Sequence, residues 1–317
     1  MSYRRVIVAV FSVLALTSAA QAEVVLRIGG QKGDAPRAVL ETAGELKDLP
    51  NRIEWREFPA AAPLLEALNA GAIDAGGVGD GPFTFAAAAG APVRAIAAVR
   101  TKPEGLAILV PKDSPMNSFH DLIGKTIGTG RGSIGHLLIL AHLRKAGLKQ
   151  DAVTIRFMQP AEANSALFTG AIDGWSTWEP YTSQLELING ARRVATGVGL
   201  TSGITYFVAR PDAIESKREA LQDFVGRLSR ARAWSNEHYE AYAEVWSKLV
   251  GLPKEVALQY FKRQDVRPVP LDDSVVADEQ NTISLYESAG LIPPSLDADK
   301  IIDRSFNDAA FPKRAQR

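Results

Sequence analysis

The residues best suited to bind an anion lie in one short stretch, Gly130-Arg131-Gly132-Ser133-Ile134-Gly135. This stretch follows a predicted strand that contains Ile127 and opens a predicted helix at His136. Glycines let backbone N–H groups approach a ligand, and a helix N-terminus carries partial positive charge. We therefore predict an anion site with Ser133 and Gly135 beside the ligand. The alternative is a tight turn with a serine cap and no ligand.

The same glycine spacing, G-x-G-x-x-G, occurs in dinucleotide sites, which also need an acidic residue about 20 positions further on. That region contains Met158-Gln159-Pro160 instead, so the pattern is incomplete. The chain has no cysteine, which excludes disulfides, thiolate metal ligands and a cysteine nucleophile. His136 and His142 are six residues apart on one predicted helix and do not share a face. We predict no catalytic residue, no metal site and no cofactor.

The most distinctive stretch is Trp175-Ser176-Thr177-Trp178-Glu179-Pro180-Tyr181. Indole rings offer a large apolar wall and an N–H donor, so Trp175 and Trp178 could flank the organic part of a ligand. The alternative is that both rings belong to the core. Glu179 precedes a proline and is interpreted as a helix cap, or as a partner for a ligand amine if it faces a cleft.

The chain repeats itself at an interval of 99 residues. Ala67-Leu68-Asn69-Ala70-Gly71-Ala72-Ile73-Asp74 returns as Ala166-Leu167-Phe168-Thr169-Gly170-Ala171-Ile172-Asp173, with six of eight positions identical. The same interval relates the segment that begins at Ile28 to the one that begins at Ile127. An interval near 100 residues suits one α/β lobe. We predict two related lobes whose equivalent loops face each other across a cleft.

The repeat places the loop Gly76-Gly77-Val78-Gly79-Asp80-Gly81-Pro82 opposite the tryptophan stretch. Asp80 can cap the helix that follows, and the backbone beside it, including Gly81, is a better anion donor than a carboxylate. Gln31 ends the first strand and carries both donors and an acceptor. Ser202 precedes a strand near the predicted hinge and is a weaker candidate for ligand binding than the residues above.

Short β-rich runs alternate with helical stretches from residue 24 onward, which predicts two mainly parallel sheets covered by helices. The predicted strands lie at 24–29, 53–58, 72–78, 93–99, 106–110, 125–129, 154–158, 171–175 and 205–210. The predicted helices of the two lobes lie at 36–46, 63–70, 82–89, 134–146 and 161–168, and 217–250 is largely helical.

This layout divides the chain into a first lobe at 23–108, a second lobe at 109–206 and a mostly helical tail at 207–317 that packs back on the first lobe. Residues 106–110 and 205–210 are the predicted crossings, and two crossings form a hinge. Residues 1–22 have the basic start, short apolar core and small-residue end of an export signal. Removing them leaves 34 basic and 36 acidic residues, a balance that argues against nucleic acid as a partner.

Taken in order, these motifs resemble the periplasmic solute-binding proteins of ABC importers for aliphatic sulfonates, relatives of the taurine- and nitrate-binding proteins. The motifs are Gln31-Lys32-Gly33, Phe58-Pro59-Ala60, Gly79-Asp80, Gly132-Ser133 with His136, and Trp175 through Tyr181. The resemblance implies a type II periplasmic-binding fold, a periplasmic location, a monomer, and a membrane permease with its ATPase as partners. It places Gln31, Asp80, Gly81, Ser133, His136, Trp175, Trp178 and Glu179 near the ligand.

Two departures from the family pattern concern the ligand. Ser133 is followed by Ile134 and Gly135 where relatives carry further serines, and Gly30 stands where a tyrosine is common. Fewer hydroxyls and more space predict a ligand bulkier than a short alkanesulfonate. A taurine- or nitrate-type small anion, a ligand-sensing role and an enzyme of similar fold remain the alternatives. The enzymes of this fold that use cysteine fit poorly with a chain that has none.

Overall fold

The computed structural model describes residues 23–31 and 36–312. The predicted export signal at 1–22 and two residues of the Gln31 loop, Lys32 and Gly33, lie outside the described residues. The strands are β1 (Val25–Gln31), β2 (Arg52–Phe58), β3 (Ala75–Gly79), β4 (Arg94–Arg100), β5 (Ala107–Val110), β6 (Thr126–Thr129), β7 (Thr154–Phe157), β8 (Gly174–Thr177), β9 (Arg192–Thr196), β10 (Ile204–Ala209) and β11 (Arg267–Val269).

The helices cover both sheets and make up most of the tail. They are α1 (Pro36–Thr42), α2 (Ala61–Asn69), α3 (Asp80–Ala88), α4 (Ile134–Lys145), α5 (Pro160–Phe168), α6 (Tyr181–Asn189), α7 (Pro211–Ser216), α8 (Arg218–Glu237), α9 (Tyr239–Val250), α10 (Lys254–Gln264), α11 (Asp273–Ser288), α12 (Ala298–Ile301) and α13 (Asn307–Ala310). No helix in the described ranges has the length and apolar character needed to cross a bilayer.

The strands form two sheets, one in each lobe. The first has the order β11-β4-β10-β3-β1-β2, and the second has the order β7-β6-β8-β5-β9. Four strands of each sheet point the same way, while β10 and β11 in the first sheet and β5 in the second run antiparallel to the strands beside them. The predicted fold class, two α/β lobes with mainly parallel sheets, is confirmed. The antiparallel strands β5 and β10 are those that enter each sheet directly from the other lobe.

The two copies of the 99-residue repeat make equivalent hydrogen bonds and close contacts. The carboxylate of Asp74 accepts from the amide of Arg27 at 2.8 Å, and the carboxylate of Asp173 accepts from the amide of Thr126 at 2.8 Å. A Cβ at Gly29 would lie 2.6 Å from Ile73, and a Cβ at the equivalent Gly128 would lie 2.5 Å from Ile172. The matching residues therefore tie the turn before β3 or β8 to the neighbouring parallel strand, β1 or β6.

The chain crosses between the sheets at 101–106 and again at 197–203. The predicted crossings, 106–110 and 205–210, instead form β5 and β10 inside the sheets, because their backbones pair with strands on both sides. The two crossings are held together by a hydrogen bond from the amide of Thr101 to the carbonyl of Gly203, at 2.7 Å, and by another from Gly197 to Leu106 at 2.9 Å. Each crossing therefore begins a few residues before the predicted boundary.

The tail contacts both lobes rather than the first alone. Helices α8, α9 and α10 bury Phe224, Trp246 and Tyr260 in the core beneath the first sheet. Helix α11 buries Ile283 and Tyr286 against α4, which belongs to the second lobe. In addition to its packing on the first lobe, the tail covers through α11 an apolar face of α4 that sequence periodicity could not pair with a partner.

Candidate functional site

A cleft of about 450 Å³ lies between the two lobes. Its wall includes residues that directly follow or end β1, β2, β3, β6, β7 and β8, so the carboxyl ends of parallel strands from both sheets meet there. Open α/β sheets bind ligands at such strand ends. The wall residues from these loops are Gln31, Pro59, Ala60, Gly79, Gly130, Arg131, Ser133, Met158, Gln159, Trp178 and Glu179.

The polar end of the cleft is formed by the N-terminus of α4. Ser133 is the N-cap residue, and its Oγ accepts a hydrogen bond from the amide of His136 at 3.2 Å. Within 23–31 and 36–312, the amides of Ile134 and Gly135 have no acceptor, so the start of α4 retains two unpaired donors. Both Ser133 and Ile134 line the cleft. This helix start can bind an anionic head group.

Ser133 can also donate a hydrogen bond. Its Oγ lies 3.2 Å from Oγ1 of Thr129, and the Thr129 hydroxyl donates to the carbonyl of Ser176 at 2.9 Å. Because the Thr129 proton is engaged there, the Ser133 proton can turn either to Thr129 or to a ligand in the cleft. A ligand that accepts the Ser133 proton therefore takes it from the contact with Thr129.

Two further polar side chains face the cleft from the first lobe and the tail. Gln31 donates from Nε2 to the carbonyl of Gly77 at 3.0 Å, which leaves its Oε1 and second amide proton for other partners. Arg232, on α8, is buried and also lines the cleft. Sequence analysis missed Arg232, although a signal existed: it follows Leu228 by one helical turn on the stripe that α8 buries.

Another part of the cleft wall is aromatic and apolar. Trp178 is partly exposed and lines it, and its ring packs edge-on against Tyr181 with centroids 6.0 Å apart. The loop between β7 and α5 adds Phe157 and Met158, and the guanidinium of Arg131 lies over the Phe157 ring at 4.1 Å. The cleft thus combines the polar start of α4 with aromatic side chains of the same lobe.

Glu179 lines the cleft and is fully buried, paired with an arginine from the tail. Its Oε1 accepts from Arg263 at 2.8 Å, and its two oxygens also accept from the hydroxyl and amide of Ser183 at 2.9 and 3.0 Å. Burial raises the pKa of Glu179, while the Arg263 charge and the Ser183 bonds oppose that rise. Its amide partner at Ser183 lies in the first turn of α6, whose N-cap residue is Pro180, so Glu179 accepts a hydrogen bond from that turn one residue before the cap position.

Several residues expected near the ligand lie outside the cleft wall. Asp80 is buried, and its carboxylate accepts from Gly81 at 2.7 Å, Ser202 at 2.7 Å and Thr282 at 3.3 Å. It therefore joins α3 to the 197–203 crossing and to α11. A Cβ at Gly81 would lie 2.9 Å from the hydroxyl of Tyr286. Asp80, Gly81 and Ser202 hold the back of the cleft together instead of lining it.

His136, Gly135 and Trp175 also support the site from behind. Nδ1 of His136 accepts from the amide of Gly132 at 3.2 Å, and burial lowers the pKa of this imidazole to about 4, so it is neutral at pH 7. A Cβ at Gly135 would lie 2.4 Å from the carbonyl of Ser176, so glycine lets α4 approach β8. Trp175 is 2% exposed and packs in the second-lobe core. Of the two alternatives for this ring, flanking the ligand or belonging to the core, the structure has the second.

Comparison with known proteins places the chain in a family. The model of the family described as NMT1/THI5 like matches residues 58–241. The chain belongs to this family. A protein of Escherichia coli (strain K12) that is named for binding aliphatic sulfonates is 36% identical over 276 residues, 86% of each chain. The structure of the alkanesulfonate-binding protein SsuA from Xanthomonas axonopodis pv. citri, bound to MOPS, superposes with a TM-score of 0.81 at 33% identity, covering 90% of this chain and 100% of that one.

The family fold also occurs in an enzyme. The desulfurization enzyme DSZB superposes with a TM-score of 0.64 at 18% identity, covering 91% of this chain and 99% of that one. At this identity the likeness concerns the fold alone. The similarity to SsuA over the whole described chain confirms the predicted type II periplasmic-binding fold and the resemblance to the sulfonate-binding proteins.

Proposed function

We propose that this protein is the periplasmic substrate-binding component of an ABC importer and that it binds an organic sulfonate, with an alkyl or aryl tail, in the interlobe cleft. The observation that carries the proposal is the start of α4, where Ser133 and Ile134, whose amide has no acceptor in the described ranges, line a cleft that also has aromatic walls. Each charge-assisted hydrogen bond to the sulfonate head contributes about 1.5–3 kcal/mol. The similarity to SsuA, which is named for alkanesulfonate binding, supports the same ligand class.

The two lobes close on the bound ligand by rotating about the crossings at 101–106 and 197–203. Closure removes the sulfonate head from water, which strengthens its hydrogen bonds to the start of α4. The closed form then delivers the ligand to the membrane permease and its ATPase. We propose a monomer that is exported by cleavage after residue 22, with no part in catalysis. Mass spectrometry of the protein from the periplasm tests the cleavage, and gel filtration tests the monomer.

Isothermal titration of the purified mature protein tests the ligand class. The panel contains methanesulfonate, 1-hexanesulfonate, benzenesulfonate, taurine, nitrate and sulfate, with hexanoate as the control for the head group. We expect saturable heat with the longer sulfonates and little with hexanoate, which has an alkyl tail of similar length but a planar carboxylate head. If no sulfonate gives heat, the sulfonate assignment is wrong, and heat with nitrate or taurine alone supports the small-anion alternative.

A growth experiment separates transport from sensing and from enzyme activity. In a strain that lacks the gene, we expect growth to fail when the sulfonate that binds in vitro is the only sulfur source. Growth that continues, together with a lost transcriptional response to the sulfonate, would support the sensing role instead. Incubating the protein with the ligand and assaying sulfite tests enzyme activity, and we expect none to be released.

A further inference from the structure

A carboxylate on the wall of an anion site is unfavourable unless a cation balances it. Glu179 is such a carboxylate, since it lines the cleft and its side chain is fully buried. We propose that Arg263, on the tail helix α10, sets the charge preference of the cleft by neutralising Glu179, so that the site accepts anions. Arg263 is thus a positioning residue that acts through Glu179, and this inference rests on the proposed sulfonate function.

Arg263 lies in a largely buried network of ion pairs. Its NH1 donates to Oε1 of Glu179 at 2.8 Å, and its NH2 donates to Oε2 of Glu186 at 2.6 Å. Glu186 in turn accepts from Nε of Arg193 at 2.7 Å and from Gln259 at 2.9 Å. The Arg263 side chain is only 13% exposed, so solvent screens this pair little.

The cluster of Arg263, Arg193, Glu179 and Glu186 has no net formal charge, because it contains two arginines and two glutamates. Ser183 gives Glu179 two hydrogen bonds but no positive charge, so it cannot replace Arg263. Removing the Arg263 charge leaves the group with a formal charge of −1, and removing the Glu179 charge leaves +1. Removing both restores neutrality. Anion affinity should therefore follow this order of charges, whereas loss of packing would weaken binding in every variant.

The remaining titratable neighbours do not change this count. Gly105 packs its backbone against the Glu179 side chain, and Glu104 precedes it on the same crossing. Tyr181 begins α6, and burial raises the pKa of its phenol above the ordinary range, so it stays neutral. Arg232 faces the same cleft from α8. Each of these groups is present in all the variants compared, so its field cancels in the comparison.

The pH dependence of binding distinguishes the charge role from a structural one. Burial already raises the pKa of Glu179, and the Arg263 charge is the largest influence that opposes it. Without Arg263, the Glu179 pKa rises further above its ordinary range. The Arg263→Met variant should then bind anions better at pH 5.5, where a larger fraction of Glu179 is protonated, than at pH 8.

The experiment is titration of 1-hexanesulfonate into the wild-type protein, Arg263→Met, Glu179→Gln and the double variant, at pH 5.5, 7 and 8 in low salt. We expect Arg263→Met to bind about tenfold to a hundredfold more weakly than wild type at pH 8 and to approach it at pH 5.5. Glu179→Gln should bind severalfold more tightly than wild type. The double variant should recover most of the affinity and lose the pH dependence.

Arg263→Met with wild-type affinity at every pH would overturn the inference, as would a double variant that stays as weak as the single one. If Arg263→Met does not fold, Glu179→Gln alone decides, because its affinity must rise above that of wild type. No heat with the wild-type protein would remove the proposed function and this inference together. Wild-type binding that is matched by all three variants would remove the inference alone.

Discussion

A buried carboxyl group at the back of the cleft should make the stability of this protein depend on pH. Glu279, on α11, is 0% exposed, and one of its oxygens accepts a hydrogen bond from Thr84. Burial, together with the nearby Asp80 charge, raises the pKa of Glu279 from an ordinary 4.5 to about 8. At pH 7 the folded protein therefore holds a proton here that the unfolded chain does not.

The sign and size of the effect follow from this difference. Because the folded-state pKa is higher, unfolding releases a proton between about pH 4.5 and 8, so stability falls as pH rises through that window. The slope approaches about 1.4 kcal/mol per pH unit, which amounts to roughly 3 kcal/mol at pH 7. Glu279→Gln keeps the shape and an acceptor for Thr84 but cannot ionise, so it should be more stable than wild type by that amount at pH 7 and by under about 1 kcal/mol at pH 5.

Urea unfolding followed by tryptophan fluorescence at pH 5, 6, 7 and 8.5 measures the effect. The matched control is Glu287→Gln, two turns further along α11 on a partly exposed position. The control should have the same pH dependence as wild type. If Glu279→Gln also has the wild-type slope between pH 5 and 8, Glu279 is not protonated in the folded protein and the reasoning is refuted.

Two further predictions concern the cleft. The hydroxyl of Tyr286 donates to the carbonyls of Gly132 and Ser133, each at 3.3 Å. Tyr286→Phe should therefore loosen the loop before α4 and weaken 1-hexanesulfonate binding about threefold to tenfold in titration. Unchanged affinity would mean that this bond does not hold the loop. Trp178→Ala should weaken 1-hexanesulfonate by roughly thirtyfold, from about 2 kcal/mol of lost apolar contact, but methanesulfonate much less, with exposed Leu249→Ala as the control; equal losses for both ligands would contradict a role in tail binding.

Local sequence patterns predicted most strands and helices because those patterns depend on neighbours in the chain. Helix α2 (Ala61–Asn69) and its repeat partner α5 (Pro160–Phe168) lie 99 residues apart at both ends, as the repeat requires. The lobe boundaries were displaced by a few residues, because β5 and β10 acquire their places only by pairing between distant strands. The stretch at 217–250, predicted to be largely helical, consists of two helices, α8 and α9, which meet at His238.

The sequence predicted which loops form the site, but not which residues of those loops line the cleft and which lie behind it. Ser133, Gln31, Trp178 and Glu179 lie on the cleft wall, whereas Trp175 and His136 lie behind it. Adjacent residues of one loop can point in opposite directions, and the pattern of residue types does not record which side faces the partner lobe. The ligand contacts of all these residues stay predictions until a bound structure is determined.

The sequence by itself determined the two-lobed repeat and the contrast between a glycine loop and an aromatic loop, since both are written in residues close together along the chain. Only the tertiary structure decided which charges meet in the cleft. Arg232 lines it and Arg263 pairs with Glu179 on its wall, both from helices that lie more than 50 residues beyond Trp178. Their positions depend on how the tail packs across both lobes, and that packing is set by apolar contacts between distant segments.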